Sequence, residues 1–350
     1  MFMLERNLYD HYKLYCTERF SIGEFEGFQA NHESYLIIPK DELQMEESQM
    51  LAFSEYMRSV GDDSVLELVQ NRSNQPSTLI DGSEVYVFKI PNVREDRSVR
   101  IRSTQDLGGQ LRDWHVKGQQ GAVNWTTLTA GRWPTIWEQR LEQLENWYAQ
   151  KRATGPTSTT DEVFLYTYPY FMGVTENAIQ YAVDTELDIP MEPRDSGTIC
   201  HSRFKDTSWL KVSESGQIIK LPTTFLFDHP ARDLAEWIRD RRVQPEERHS
   251  QMKQEISLFL RGYEETQVLS RYSWQLMYAR LLFPLYYFEL IEQYYRAQMP
   301  QEQLQFASNI ESFLDKEKEN GAFLNELAEE AKLHRYQSIP ELDWIIGQKI

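Results

Sequence analysis

A chain of 350 residues with 41% hydrophobic and 13% aromatic content can bury a large core, as one large domain or two lobes, and is excluded from the disordered class. A formal net charge of −17 removes the electrostatic ground for a nucleic-acid or anionic-membrane partner. Two cysteines, Cys16 and Cys200, fall short of a disulfide scaffold or a zinc site and fit synthesis in a reducing compartment.

The first segment, MFMLERNLYDHYKLYC, sets Leu4, Leu8, Tyr12 and Tyr15 roughly one turn apart among charges, which predicts an amphipathic helix and not a secretory signal. FEGFQANHESYLIIP places a turn-rich stretch at 29–34 before a strand at 35–39, a hairpin pattern. In KDELQMEESQMLAFSEYMRSVG, Met45, Met50, Phe53 and Met57 recur at helical spacing, and Gly61 marks the stop. STLIDGSEVYVFKIPN reads as a second hairpin turning on Asp81 and Gly82. This order predicts a small α+β lobe over 1–91.

Beyond Pro91 the character changes. Arg94, Arg97, Arg100 and Arg102 form a basic cluster in an acidic chain; a solvated loop or strand is the simplest reading, an acidic protein partner the alternative. TQDLGGQLRDWHVKG begins a helical region, and His115 on its apolar face reads as a core histidine. PTIWEQRLEQLENWYAQK aligns Ile136, Leu141, Leu144 and Trp147 on one helix face. GPTSTTDE at 155–162 is a loop by composition, with another helix expected within 161–189. Short strands and turns fill 199–227, and helices dominate after Pro230. The aromatic stripe at 272–295 reads as core. Its strongest apolar run is broken by Pro284 and Glu289 and is too short to span a bilayer.

The stretch GTICHSRFKDTSWL at 197–210 raises the question of chemistry. A histidine followed two places later by an acid would suit a phosphotransferase loop, in which the acid takes the proton of a substrate hydroxyl. Arg203 occupies that place, and a guanidinium accepts no proton at any relevant pH. Ser208 and Trp209 follow, then the turn SESGQII, Asp228, and finally Asp233 and Leu234, which open the helix RDLAEWIRDR.

This order resembles the aminoglycoside phosphotransferase and choline kinase-like superfamily. That pattern runs His-Gly-Asp, an Asn farther along the loop, a strand ending in a metal-binding Asp, and an Asp-Leu opening a helix. YLIIP sits where the lysine-bearing strand would be, and LGGQLRDWH looks like the first helix of the large lobe. ENAIQY at 176–181, FDHPARDLAEWIR at 227–239 and YARLLFPLYYFELIEQYY at 278–295 resemble, more closely, the CotS/YutH group of endospore coat-associated proteins, on its YutH branch. That resemblance spans essentially the whole chain. It implies an α+β, two-lobed, protein-kinase-like fold of the aminoglycoside phosphotransferase type. A small mixed lobe at 1–91 would precede a large, mainly helical lobe at 92–350, with the loop region at 197–234.

Carried over position by position, the resemblance implies a loss of the working groups. Arg203 falls on the catalytic base, Ser208 on the metal-binding Asn and Leu221 on the second metal-binding Asp. Ile37 or Ile38 stands where the phosphate-binding lysine would be, which would leave Glu46 or Glu47 as an ordinary surface acid. Gly23 and Gly27 lie near the place of the nucleotide-covering loop. His201 keeps the role of a brace, and Asp233 that of the acid anchoring the loop. Asp206 and Asp228 are the fallback carboxylates for a metal.

Losing a general base alone costs about a hundred- to ten-thousand-fold in rate. Losing metal and lysine as well removes most of the electrostatic stabilisation on which phosphoryl transfer depends. The expectation is therefore a pseudokinase with no cofactor. It would be made in the mother-cell cytoplasm and associated with coat proteins at the endospore, without nucleic acid or membrane insertion. The rivals are an active small-molecule kinase with non-standard metal ligands and an ATP-sensing pseudokinase, the two readings that would need ATP and Mg²⁺.

Overall fold

In the computed structural model the described residues are 3–43, 45–91, 100–121, 130–212, 217–242 and 249–330. Contacts divide the chain into two compact units, 1–127 with 197–268 and 128–196 with 269–350.

The first unit opens with α1 (Met3–Tyr12) and an antiparallel sheet. Its strands are β1 (Glu18–Ile22), β2 (Phe25–Ala30), β3 (Glu33–Pro39), β4 (Glu67–Leu68), β5 (Ser77–Ile80) and β6 (Ser83–Lys89), with α2 (Glu47–Ser59) inserted after β3. The order is β1-β2-β3-β6-β4, and β5 also pairs with β6. Two turns explain the hairpins. Asn31 and His32 take φ of 52° and 64°, and Asp81 and Gly82 take 51° and 91°. Positive φ at both central residues matches the right-handed twist of the flanking strands. The β2–β3 turn is therefore tighter than the expected 29–34, because Gln29, Ala30, Glu33 and Ser34 all belong to the ladder.

Alternation along β3 decides which core each residue joins. Tyr35 and Ile37 join Leu4, Leu8, Tyr12, Phe28 and Val87 under α1. Leu36 and Ile38 enter a second cluster with Met50, Leu66, Tyr86 and Phe88. The expected helical stripe stops short of Tyr15: α1 ends at Tyr12, Lys13 takes φ of 57°, and Tyr15 is 70% exposed. Once the helical phase is broken, apolar spacing no longer selects a face.

The same unit continues with α3 (Thr104–Gln120) and, after the second unit's first segment, β7 (Thr198–His201), β8 (Trp209–Lys211), β9 (Ile218–Lys220), β10 (Phe225–Asp228), α6 (Ala231–Arg242) and α7 (His249–Tyr263). β7 pairs with β10 and β8 with β9, both antiparallel. Helices α3 and α7 cross at two glycines. A Cβ on Gly108 would lie 2.0 Å from the Phe259 carbonyl oxygen, and one on Gly262 would lie 2.0 Å from that of Gln105.

The second unit is helical: α4 (Trp133–Thr154), α5 (Thr159–Asp188), α8 (Arg271–Leu282), α9 (Leu285–Arg296), α10 (Pro300–Asp315) and α11 (Glu317–Glu330). Residues 159–162, expected as loop, form the first turn of α5, because the Ser158 side chain caps it by accepting from the Asp161 amide. The 272–295 stripe is core, with Tyr272, Tyr278, Tyr287 and Phe288 all buried. Among the described residues no helix is long and apolar enough to cross a membrane. Arg94 and Arg97, and the lobe boundary expected after Pro91, abut or fall within 92–99, outside the described residues. Arg100 forms an isolated bridge with Gln217.

Candidate functional site: a phosphotransferase-type loop

His201 ends β7 and is fully buried. Its backbone amide donates to Asp233 Oδ1 at 2.9 Å, and its Nδ1 lies 2.8 Å from Asp233 Oδ2. On the other edge of the ring, Trp209 Nε1 donates to His201 Nε2 at 3.0 Å. An indole nitrogen can only donate, so Nε2 is the acceptor and the ring proton resides on Nδ1, facing the carboxylate. His115, also fully buried, places Nε2 3.1 Å from Asp233 Oδ2 and Nδ1 2.8 Å from the Tyr263 hydroxyl. Burial pushes the His115 pKa down, in keeping with a neutral ring. For Asp233 burial acts upward, but His201, with His115, outweighs it and holds the carboxyl well below the usual range.

Cys200 completes this buried group. Its Sγ lies 4.0 Å from His115 Nε2 and points toward the carbonyls of Asp228 and His229 at 3.6 and 3.5 Å. Among the described residues, His115, Cys200 and Asp233 are the one set of three ligand types whose atoms lie within 4.8 Å of one another. Their polar atoms are already committed. Asp233 accepts from one amide and two rings, and the thiol faces carbonyls. The arrangement is a hydrogen-bonded core network that braces the loop.

The positions on which the resemblance puts the base, the amide and the metal ligands are occupied differently. Arg203 Nη1 pairs with Glu236 Oε2 at 2.9 Å, while Arg239 Nη1 holds the other oxygen of that carboxylate at 2.7 Å. Ser208 Oγ accepts from the Lys205 amide and donates to the Arg203 carbonyl, both at 2.8 Å, so the hydroxyl clips the loop closed. Asp206 is bound by Arg241 and by the Trp237 indole N–H. Asp228 is buried, accepts from the His229 amide at 2.7 Å, and pairs with Arg232 at 2.9 Å. Each fallback carboxylate thus has an arginine beside it, and neither belongs to the three-ligand set.

On the sheet side, Ile38 and Leu221 belong to one buried apolar cluster, together with Leu36, Met50, Tyr86, Leu210 and Ile219. Ile37, the alternative position for the lysine, faces the α1 side. Gly23 (φ +59°) sits in a tight β1–β2 turn, and the Phe20 ring fills the space over Gly27, 2.4 Å from where a Cβ would be. Glu47 is more than a surface acid: it accepts from the Tyr86 hydroxyl at 2.8 Å and lies 3.5 Å from Lys40 Nζ. Glu46 precedes α2 as its N-cap without a side-chain cap bond.

Sequence reasoning missed Glu236 and Lys220, both charged and buried. A signal existed for each. A lysine within IIKLP and a glutamate within DLAEWI interrupt apolar runs, and buried charges occur where a partner is supplied.

The antiparallel sheet with its inserted helix, the short strands around the 197–234 loop and the helical remainder have the fold of the aminoglycoside phosphotransferase-like kinases. The aminoglycoside phosphotransferase of Alicyclobacillus acidocaldarius matches it with a TM-score of 0.61 at 13% identity, over 91% of this chain and 93% of that one. Spectinomycin phosphotransferase, in complex with ADP and spectinomycin, matches at 0.58 and 13% identity, over 88% and 93%. The family described as "Spore coat putative kinase YutH" matches residues 5–327, and the chain belongs to that family. It is 32% identical over 335 residues to the endospore coat-associated protein YutH of Bacillus subtilis strain 168, covering 92% of this chain and 91% of that protein.

Proposed function

We propose that this protein is an endospore coat-associated scaffold whose kinase-like fold transfers no phosphate. The observation that carries the reading is that Ile38 and Leu221 share one buried apolar cluster. Leu221 stands where the resemblance puts a metal-binding acid, and Ile38 is one of the two positions, with Ile37, where it puts the lysine. A polar phosphate–metal site and a dry core cannot occupy the same space, since an unpaired buried charge costs several kcal/mol or more. Arg203 paired with Glu236, and Ser208 spent on a loop clip, support the same reading. The arginine partners of Asp206 and Asp228 weigh against a substitute metal site. Coat association rests on membership of the family, with synthesis in the mother cell as its corollary.

A thermal-shift titration with ATP and Mg²⁺ tests the scaffold reading, with no stabilisation as the expected outcome. A metal-dependent shift without turnover would favour nucleotide sensing. Phosphate release, or transfer to an amino sugar or a choline-like alcohol, would overturn the assignment. Imaging of a tagged chain during sporulation tests the location, with signal expected at the coat of the forming spore.

A further inference from the structure

Strand alternation turns β9 two ways. Ile219 and Leu221 face the apolar cluster, while Lys220 points to the other side and is 2% exposed. Lys220 Nζ lies 2.6 Å from Asp62 Oδ2 and 4.6 and 4.5 Å from the ring centroids of Trp114 and Trp209. Asp62 is itself 3% exposed and also accepts from the Ser64 amide at 3.2 Å and from the Ser64 hydroxyl. Lys117 Nζ stands 4.0 Å away on the outer side of the same carboxylate. Burial acts upward on the Asp62 carboxyl, but Lys220 outweighs it and holds the group below its ordinary range, while burial pushes the Lys220 pKa down. The backbone follows the side chains. Lys220 N donates to Ser64 O at 2.9 Å, Leu66 N donates to Lys220 O at 3.1 Å, and Val65 forms a parallel bridge with Lys220.

We propose that Lys220 is an internal cationic latch. Its ammonium, caged by two indoles and a carboxylate, fastens the 62–66 segment that follows α2 to the β8–β9 hairpin. It thereby fixes the position of α2 without any bound ion or nucleotide. A lone buried ammonium would be strongly unfavourable, and a carboxylate contact with two aromatic faces is the set of partners that offsets its desolvation. Asp62 lies just past the end of α2, its amide accepted by the Met57 carbonyl at 3.0 Å, so the helix inherits the restraint. The latch does not rest on the loss of phosphate transfer, since an active or an inactive protein could carry it.

The test compares Lys220→Met, Asp62→Asn and the double variant in the full chain, by thermal melting and hydrogen exchange. Each single change is expected to raise exchange across 62–66 and α2 by about tenfold or more, with β2 and β3 unchanged. The double variant is expected to melt above both singles, because it leaves no unpaired buried charge. In Lys220→Ala, added n-propylammonium should restore melting and protection by refilling the cage. Unchanged exchange at 62–66, strictly additive losses in the double variant, or no rescue by the amine would each overturn the proposal. If Lys220→Met fails to fold, exchange at 62–66 in Asp62→Asn still decides, because that variant keeps the lysine and removes only its counter-charge. None of these readouts uses nucleotide, so their failure is distinct from failure of the proposed function.

Discussion

The base of the 197–234 loop and its working face have different chemistry for a common reason. At the base, His201, Asp233, His115 and Trp209 form a closed set in which each buried donor meets an acceptor. At the face where the resemblance puts the base, amide, acid and lysine stand Arg203, Ser208, Leu221 and Ile37 or Ile38. They form an ion pair, a turn clip and apolar core. A group that only stabilises the fold is kept by the desolvation cost of losing its partner.

The comparison can be broken most decisively at Asp233. Asp233→Ala strands the His201 amide and two ring nitrogens, and it should cost about 3–5 kcal/mol in denaturant unfolding. A loss under 1 kcal/mol would mean that the base is not the brace described. Leu221→Asp puts an acid where the resemblance would place one. It should destabilise by about 3 kcal/mol, because the carboxylate enters a dry cluster, and should confer no Mg²⁺-dependent stabilisation. Metal binding by that variant would show the face to be a dormant site instead of a core.

Away from the loop, Gly108→Ala should cost about 2–3 kcal/mol, since the new methyl meets backbone and not a flexible side chain. A neutral result in thermal melts would show that the α3–α7 crossing can slide. The helical unit uses the same buried-acid device as the loop base. Asp161 accepts from Lys151, Thr157 and Tyr295, and although burial acts upward, these partners bring its pKa down from 3.8 to about 2. A carboxyl depressed in the folded state adds stability above its unfolded pKa and loses it as pH falls through the folded one. Asp161 should thus contribute about 2 kcal/mol at neutral pH, fading between roughly pH 4 and 2. In Asp161→Asn the acid limb of a stability–pH curve should flatten over that window, leaving the further loss due to Asp233. The smallest effect is expected for Arg203→Ala, about 0.5–1 kcal/mol, because Arg239 continues to neutralise Glu236. Arg203→Asp should release no phosphate from ATP, as one restored acid lacks the rest of the site.

Much of the fold was legible because its signals are local. The Asp81 and Gly82 turn and the period of α2 and α3 each act within a few residues, whereas the Ser158 cap went unread and its turn at 159–162 passed for loop. The site was legible only as a set of substitutions. Arg203 cannot serve as a base by its chemistry, but nothing near it in sequence says that it meets Glu236. The error at Tyr15 is of the same kind, a period continued past a backbone break that only coordinates reveal.

By itself the sequence determined the family, the order of helices and strands, and the absence of an acid at residue 203, because these follow from residue type and short-range spacing. Tertiary structure alone decided that Ile38 and Leu221 share one core and that Lys220 meets Asp62 across 158 positions of chain. Burial and long-range pairing depend on which faces the fold presses together, and no local pattern encodes that.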